Sequence, residues 1–183
     1  MYKRQLQNDA FISGLAYNED GLAMACMGIA AGDADSNGLL DYFVTNYRDE
    51  SNTLYLQDAA GLFIDSTKGA GLAGPGIPYI GWGTQFIDAD LDGHEDIVVV
   101  NGHIDDYRKE GEGQQMPAQC FRNIGHGRFV ELPAETAGTF FRKDYLGRGL
   151  SRVDWNLDGR MDFVVSNMNE AATLATNQTK ESG

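Results

Sequence analysis

Short apolar runs alternate with polar, glycine-rich turns along the whole chain, and three of the runs share one form. DYFVTNY at 41–47, DIVVVNG at 96–102 and DFVVSNM at 162–168 are dense in β-branched and aromatic residues and read as strands. Each is preceded by a second strand-like segment carrying glycine at crowded positions: CMGIAAGD at 26–33, GWGTQFID at 81–88 and GRGLSRVD at 147–154. A third candidate follows in each unit, TLYLQD at 53–58, AQCFRN at 118–123 and ATLATN at 172–177. A fourth, GLFIDST at 61–67 and GRFVELP at 127–133, follows in the first two units only. Turn signals such as DAAG at 58–61 and NIGHG at 123–127 separate them. Helix-like composition is confined to AMACM and NEAATLA, both short and uncapped.

These elements make a repeat of four strands, with the first and second joined by a loop of fixed pattern. The loops start at Asp33, Asp88 and Asp154, 55 and 66 residues apart. The polar insertion DDYRKEGEGQQMP at 105–117 accounts for the longer spacing. QLQND at 5–9 and AFISGLA at 10–16 read as strands three and four of a preceding unit. The expected fold is therefore all-β, built from β-propeller blades of four antiparallel strands. Boundaries fall at 1–25 (end of a preceding blade), 26–80, 81–146 and 147–183 (an incomplete blade). Thirteen strands amount to about three blades, fewer than the roughly 4–8 that close a propeller, so a partial propeller is expected, completed by further blades or another chain.

Aligned, the loops read D-x-[DN]-x-[DN]-G-x-x-D, and the pattern continues into the second strand to a terminal Asn. Side chains at positions 1, 3 and 5 of a tight loop can face one centre, glycine at 6 permits the turn, position 7 offers its carbonyl and position 9 returns a carboxylate. The candidate ligands are Asp33, Asp35, Asn37, Leu39 (carbonyl) and Asp41; Asp88, Asp90, Asp92, His94 (carbonyl) and Asp96; Asp154, Asn156, Asp158, Arg160 (carbonyl) and Asp162. An all-oxygen, flexible set suits calcium, about three ions, better than magnesium or zinc. An EF-hand is excluded, because position 12 is Val44, Val99 or Val165 rather than glutamate, inside a strand. Asp/Asn/Gly turns are common between strands, but three copies in register are a repeat. Four carboxylates predict the tightest binding at the second loop.

Charge supports that reading. The formal net charge is −13, from 27 acidic and 14 basic residues, which leaves no basic face for nucleic acid. Ten of the 27 acids are loop aspartates, so much of the acidity is local ligand supply. Cys26 and Cys120 lie in apolar stretches and read as buried free thiols rather than a disulfide framework. No apolar run is long enough to span a membrane, and MYKRQLQNDA lacks the apolar core of a signal peptide.

With flanks such as AGLAGPGIPYIGWG at 70–83, NGH at 101–103 and GRGL at 147–150, the chain resembles the FG-GAP/VCBS repeat proteins of the integrin-α-type β-propeller. It is most similar to the group carrying an ASPIC/UnbV domain and typified by cartilage acidic protein. The resemblance implies a propeller of about seven blades, calcium at the loop positions named above, export to the extracellular, cell-surface or periplasmic space, and an adhesive or scaffolding role. Cys26 departs from the first glycine of the family's G-x-G, and no ASPIC/UnbV segment is present in this sequence.

Other chemistry is weaker. GAGLAG at 69–74 matches a dinucleotide fingerprint, but Pro75, Gly76 and Pro78 replace the helix that would hold a pyrophosphate. His103 beside Asp105 and Asp106 has no nucleophile partner in sequence. Trp82, Trp155, Tyr79 and Phe140 could form an aromatic platform, with Trp155 at loop position 2 the most exposed. Asn177-Gln178-Thr179 is a glycosylation sequon. The expected function is a non-enzymatic, calcium-binding interaction module with a protein or glycan ligand. The alternative is a carbohydrate-active enzyme or glycan-binding accessory using the 105–117 insertion.

Overall fold

A computed structural model describes residues 6–104 and 113–180. The first sheet is β1 (Gly28–Gly32), β2 (Asp41–Thr45), β3 (Thr53–Gln57) and β4 (Phe63–Asp65), paired antiparallel in sequence order. The second is β5 (Gly81–Ile87), β6 (Asp96–Asn101), β8 (Gln119–Asn123) and β9 (Phe129–Glu131). The third is β11 (Gly147–Val153), β12 (Asp162–Asn167) and β13 (Thr173–Ala175). The strands β7 (Met116–Pro117) and β10 (Asp144–Tyr145) form a small separate pair. The described residues are thus all-β in four antiparallel sheets, the three larger following the apolar runs and the β7–β10 pair going beyond them.

The middle sheet explains an irregularity in the pattern. β6 is buried at every residue, whereas β2 alternates buried and half-buried. Both faces of the second sheet are covered, so DIVVVN needs no polar side and reads as a continuous apolar run. One core, with Phe43, Leu54, Phe86, Phe121 and Phe129, lies between the first and second sheets. Another, with Ile87, Val98, Cys120, Phe163 and Val165, lies between the second and third. The first strands of the sheets pack side by side, β1 on β5 and β5 on β11. Glycine is required there: a Cβ on Gly28 would meet the Trp82 carbonyl oxygen at 2.1 Å, and one on Gly83 the Leu150 amide nitrogen at 2.3 Å.

Three expectations need correction. AFISGLA contains a one-turn helix, α1 (Ala10–Ser13), and residues 6–9 form no strand. A strand must pair its N–H and C=O groups with a neighbour, and the described residues offer this segment none. Short helical turns also occur at α2 (Ala134–Ala137) and Thr139–Arg142, while AMACM and NEAATLA are not helical. Cys26 is exposed, at positive φ just before β1, whereas Cys120 is buried; both are free thiols.

Candidate metal-binding loops

Each loop folds by the same hydrogen bonds. The position-1 carboxylate turns inward and accepts amides from positions 5 and 6: Asp33 from Asn37 and Gly38 (both 2.9 Å), Asp88 from Asp92 and Gly93 (both 3.1 Å), Asp154 from Asp158 and Gly159 (3.1 and 3.0 Å). Position 6 is glycine at φ 84°, 87° and 85°, as the turn demands. Position 4 is also left-handed, at Ser36, Leu91 and Leu157, a feature the sequence pattern does not announce.

The position-9 aspartates do something the ligand pattern alone does not show. Each carboxylate takes one amide from loop position 2 and one from the end of the third strand. Asp41 accepts from Ala34 and Gln57 (both 2.8 Å), Asp96 from Ala89 (3.2 Å) and Asn123 (2.7 Å), Asp162 from Trp155 (3.1 Å) and Asn177 (2.7 Å). They are 0%, 1% and 0% exposed. The terminal Asn of the motif closes the other end: Asn46, Asn101 and Asn167 donate to the Ser51, Pro117 and Ala171 carbonyls ahead of strand three.

Carboxylates converge in two loops. Ligand-capable oxygens of Asp33, Asp35 and Asp41 lie within 4.8 Å of one another, as do those of Asp88, Asp90 and Asp92. Asp96 stands outside the second group. In the third loop Asn156 replaces a carboxylate, and the Asp158 carboxylate is held by Asn156 and Arg160. Arg122 spans the second loop, 2.6 Å from Asp90 and 3.2 Å from Asp92. No Lys or Arg pairs with the first loop's carboxylates among the described residues. Asp90 Oδ1 is buried with no hydrogen-bond partner, an acceptor left over in the second loop. An all-oxygen set with a spare buried acceptor fits a hard divalent cation.

Electrostatics follow the geometry. Burial pushes Asp96 up to about 7 against its two amide donors, with Asp90 and Asp92 adding repulsion. Burial likewise raises Asp41. Desolvation also pushes on Asp92, but the His94 amide and the Arg122 guanidinium hold it below the usual carboxylate range. Asp158 is lowered chiefly by the Arg160 amide. Clustered anions destabilise one another, and a cation between them would reverse the balance.

The loops are tied to neighbouring sheets. Asn123 donates its side-chain amide to the Ala34 carbonyl (2.8 Å) and Asn177 to the Ala89 carbonyl (3.1 Å), joining each loop to the next sheet. Glu95 accepts from the Asp33 amide (2.9 Å) and pairs with Arg152 (3.0 Å). Sequence reasoning passed over Asn123 and gave Asn177 only a sequon role, although both close a third-strand stretch, AQCFRN and ATLATN. It also passed over Arg122, which nothing in its neighbourhood marks.

The remaining candidates are placed as follows. Trp155 is 65% exposed, and among the described residues no sheet covers it as sheets two and three cover Ala34 and Ala89. Phe140 stacks on Tyr145 at 4.7 Å and Trp82 carries the Arg148 guanidinium at 4.3 Å, so both are packing residues. His103 is buried. The 69–74 stretch is a turn-rich loop, without the helix a nucleotide would need. Of the insertion, residues 105–112 lie outside the described residues, and Met116–Pro117 belong to the small pair with β10.

No curated protein matches the chain. The family model of the FG-GAP-like repeat matches residues 33–99, which run from the first aspartate of loop one into the strand after loop two. That match supports the FG-GAP repeat family for the stretch it covers.

Proposed function

We propose that the chain is a calcium-braced module of propeller blades, without catalytic activity, serving as an extracellular interaction or scaffold surface. The observation that carries this is the repeated loop: the same oxygen donors at the same positions, with carboxylates gathered in loops one and two. Bound calcium would supply the positive charge these clusters lack. Asp33, Asp35, Asn37, Asp41 and the Leu39 carbonyl hold the first ion; the corresponding residues of loops two and three hold the others. The position-9 aspartate already fastens strand two to strand three, so ordering the loop stiffens the outer strands as well. Binding energy then becomes folding energy.

Asp96 stands apart from the other carboxylates of the second loop, whereas Asp41 lies with Asp33 and Asp35, and Arg122 offsets the charge of Asp90 and Asp92. The first loop, with no such partner among the described residues, ranks tightest, in place of the order the carboxylate count predicts. Affinities belong with extracellular modules, at about 10⁻⁴–10⁻³ M. The likeness to the ASPIC/UnbV-associated group, a parent of about seven blades and export all rest on the flanking stretches of sequence.

Equilibrium dialysis with calcium tests the reading. About three ions per chain are expected, and Asp33→Ala and Asp90→Ala should each remove one. No binding at 5 mM calcium, about five times the weakest affinity class invoked, would contradict it.

A further inference from the structure

Side chains at positions 7 and 8 of the second loop reach across to the first. The Glu95 carboxylate, at position 8, accepts the Asp33 amide with one oxygen at 2.9 Å. Its other oxygen pairs with Arg152 at 3.0 Å, and that guanidinium also donates to the Phe86 carbonyl (3.1 Å). His94, at position 7, is hydrogen-bonded through Nδ1 to the Ser36 hydroxyl at 3.1 Å. Asp33 and Ser36 are positions 1 and 4 of the first loop, so its leading aspartate and its left-handed residue are both held from the second.

The end of β1 makes room for this bridge. A Cβ on Gly32 would meet Glu95 Oε2 at 2.4 Å and Phe86 Cγ at 2.6 Å, so glycine there lets the carboxylate reach the Asp33 amide. The junction between the second and third loops is built differently. Ile87 stands where Gly32 does, and Met161 where Glu95 does, with no carboxylate to offer. Arg160, the counterpart of His94, turns back on its own unit, to Asp158 and the Asn177 carbonyl (3.1 Å). The asparagine ties, Asn123 to Ala34 and Asn177 to Ala89, are common to both junctions and do not distinguish them.

The bridge joins one set of candidate ligands to the other. Asp33 supplies the position-1 carboxylate of the first loop, and Glu95 lies between the His94 carbonyl and Asp96 in the second. A cation that fixes Asp33 therefore fixes the amide that holds Glu95, and with it the residues on either side. Order imposed on one loop need not be imposed again on the other, which favours the second ion. Half-buried against both loops, the Glu95 carboxylate also weakens repulsion between two cations.

On the calcium reading of the loops, on which this rests, we propose that the first and second loops bind their ions cooperatively. Glu95 is the positioning residue that couples them, supported by the His94–Ser36 bond, and the third loop binds independently. Such coupling is reciprocal between sites and commonly reaches about fivefold in affinity. Because the first loop ranks tightest, it fills first, and its occupancy is felt at the second.

Calcium titration of the full chain, followed by amide magnetic resonance, tests this. Gly38, Gly93 and Gly159 each donate to the position-1 carboxylate of their own loop and so report the three sites separately. Asp35→Ala, which removes a first-loop ligand, should raise the calcium midpoint at Gly93 about fivefold and leave that at Gly159 unchanged. Added to Glu95→Ala, the same substitution should leave the Gly93 midpoint where it stands. Should Glu95→Ala fail to fold, Ser36→Ala takes its place, because it deletes one exposed hydroxyl, and there the rise should shrink. Asp90→Ala should leave Gly159 unchanged, since no such bridge spans the second junction. No rise at Gly93, a rise that survives these substitutions undiminished, or an equal rise at Gly159 after Asp90→Ala would overturn the coupling and leave calcium binding intact. Glycines that all stay still at about 5 mM calcium would overturn calcium binding itself, and the coupling with it.

Discussion

The side-chain amide of Asn123 donates to the carbonyl of Ala34 at 2.8 Å, across 89 residues of sequence, and so fastens the second sheet to the first loop. The same side chain donates to the Glu95 carbonyl (3.1 Å) and accepts from the Gly125 amide (2.9 Å). Asn123→Ala leaves buried groups unpaired on both sheets. A loss of about 2–3 kcal/mol is expected, read from urea unfolding. A loss below about 0.5 kcal/mol, typical of surface positions, would show that the tie is unimportant.

Close approach of the first strands gives a second expectation. Gly83→Ala must displace the β11 backbone, whereas Gly93→Ala, on the open loop, meets no atom within 4 Å and faces only its φ of 87°. Overpacking at Gly83 should cost about 1–3 kcal/mol and disturb both adjoining sheets, detected by hydrogen exchange in β5 and β11. The Gly93 variant should lose about 1 kcal/mol, confined to its loop.

Arg122 offers a test of the ranking among loops. Removing its guanidinium in Arg122→Gln frees Asp90 and Asp92. Calcium affinity at the second loop should rise several-fold, with the first loop unchanged, as followed by calorimetric titration. An unchanged second site would mean that Arg122 does not compete.

Burial of Asp96 predicts an unusual pH response without calcium. Its folded pKa, about 7, lies above the ordinary carboxylate value. The protonated folded form is therefore favoured, and this contribution is lost as pH rises through 7. In EGTA the chain should melt lower at pH 8 than at pH 5, by an amount on the order of a few kcal/mol. Asp92 and Asp158 shift downward and so stay ionised across that window. Asp96→Asn should reduce the slope, with raised Asp41 acting in the same direction; a slope unchanged by the substitution would place its origin elsewhere.

The cysteines separate by exposure. Burial pushes the Cys120 thiol up to about 12, and it should be inert to a thiol reagent until the chain unfolds. Cys26 is accessible and should react in the native state, slowly because burial of its sulfur and Glu50 also raise its pKa. Counting one reactive thiol folded and two unfolded checks the assignment.

The sheets and loops were legible because each unit repeats its own pattern: β-branched runs mark the strands, and glycine marks both the turn and the close strand contacts. What the sequence hid depends on neighbours. AFISGLA has the residues of a strand, yet without a partner it coils into α1. Cys26 sits in an apolar stretch but lies ahead of the sheet, where it stays exposed. The position-9 aspartates looked like ligands alone, and their bonds to Gln57, Asn123 and Asn177 appear only when strand three returns to the loop. Arg122 reaches the second loop from β8, 30 residues beyond Asp92, a distance no local motif spans.

The central claim is that the loops bind calcium and that this binding holds the sheets together. A thermal melt of the full chain at pH 7.5, first in EGTA and then in 5 mM calcium, tests it most directly. With about three sites in the millimolar range, linkage should raise the midpoint by several degrees, magnesium should do much less, and Asp33→Ala should reduce the gain. A midpoint unchanged by calcium would contradict the account.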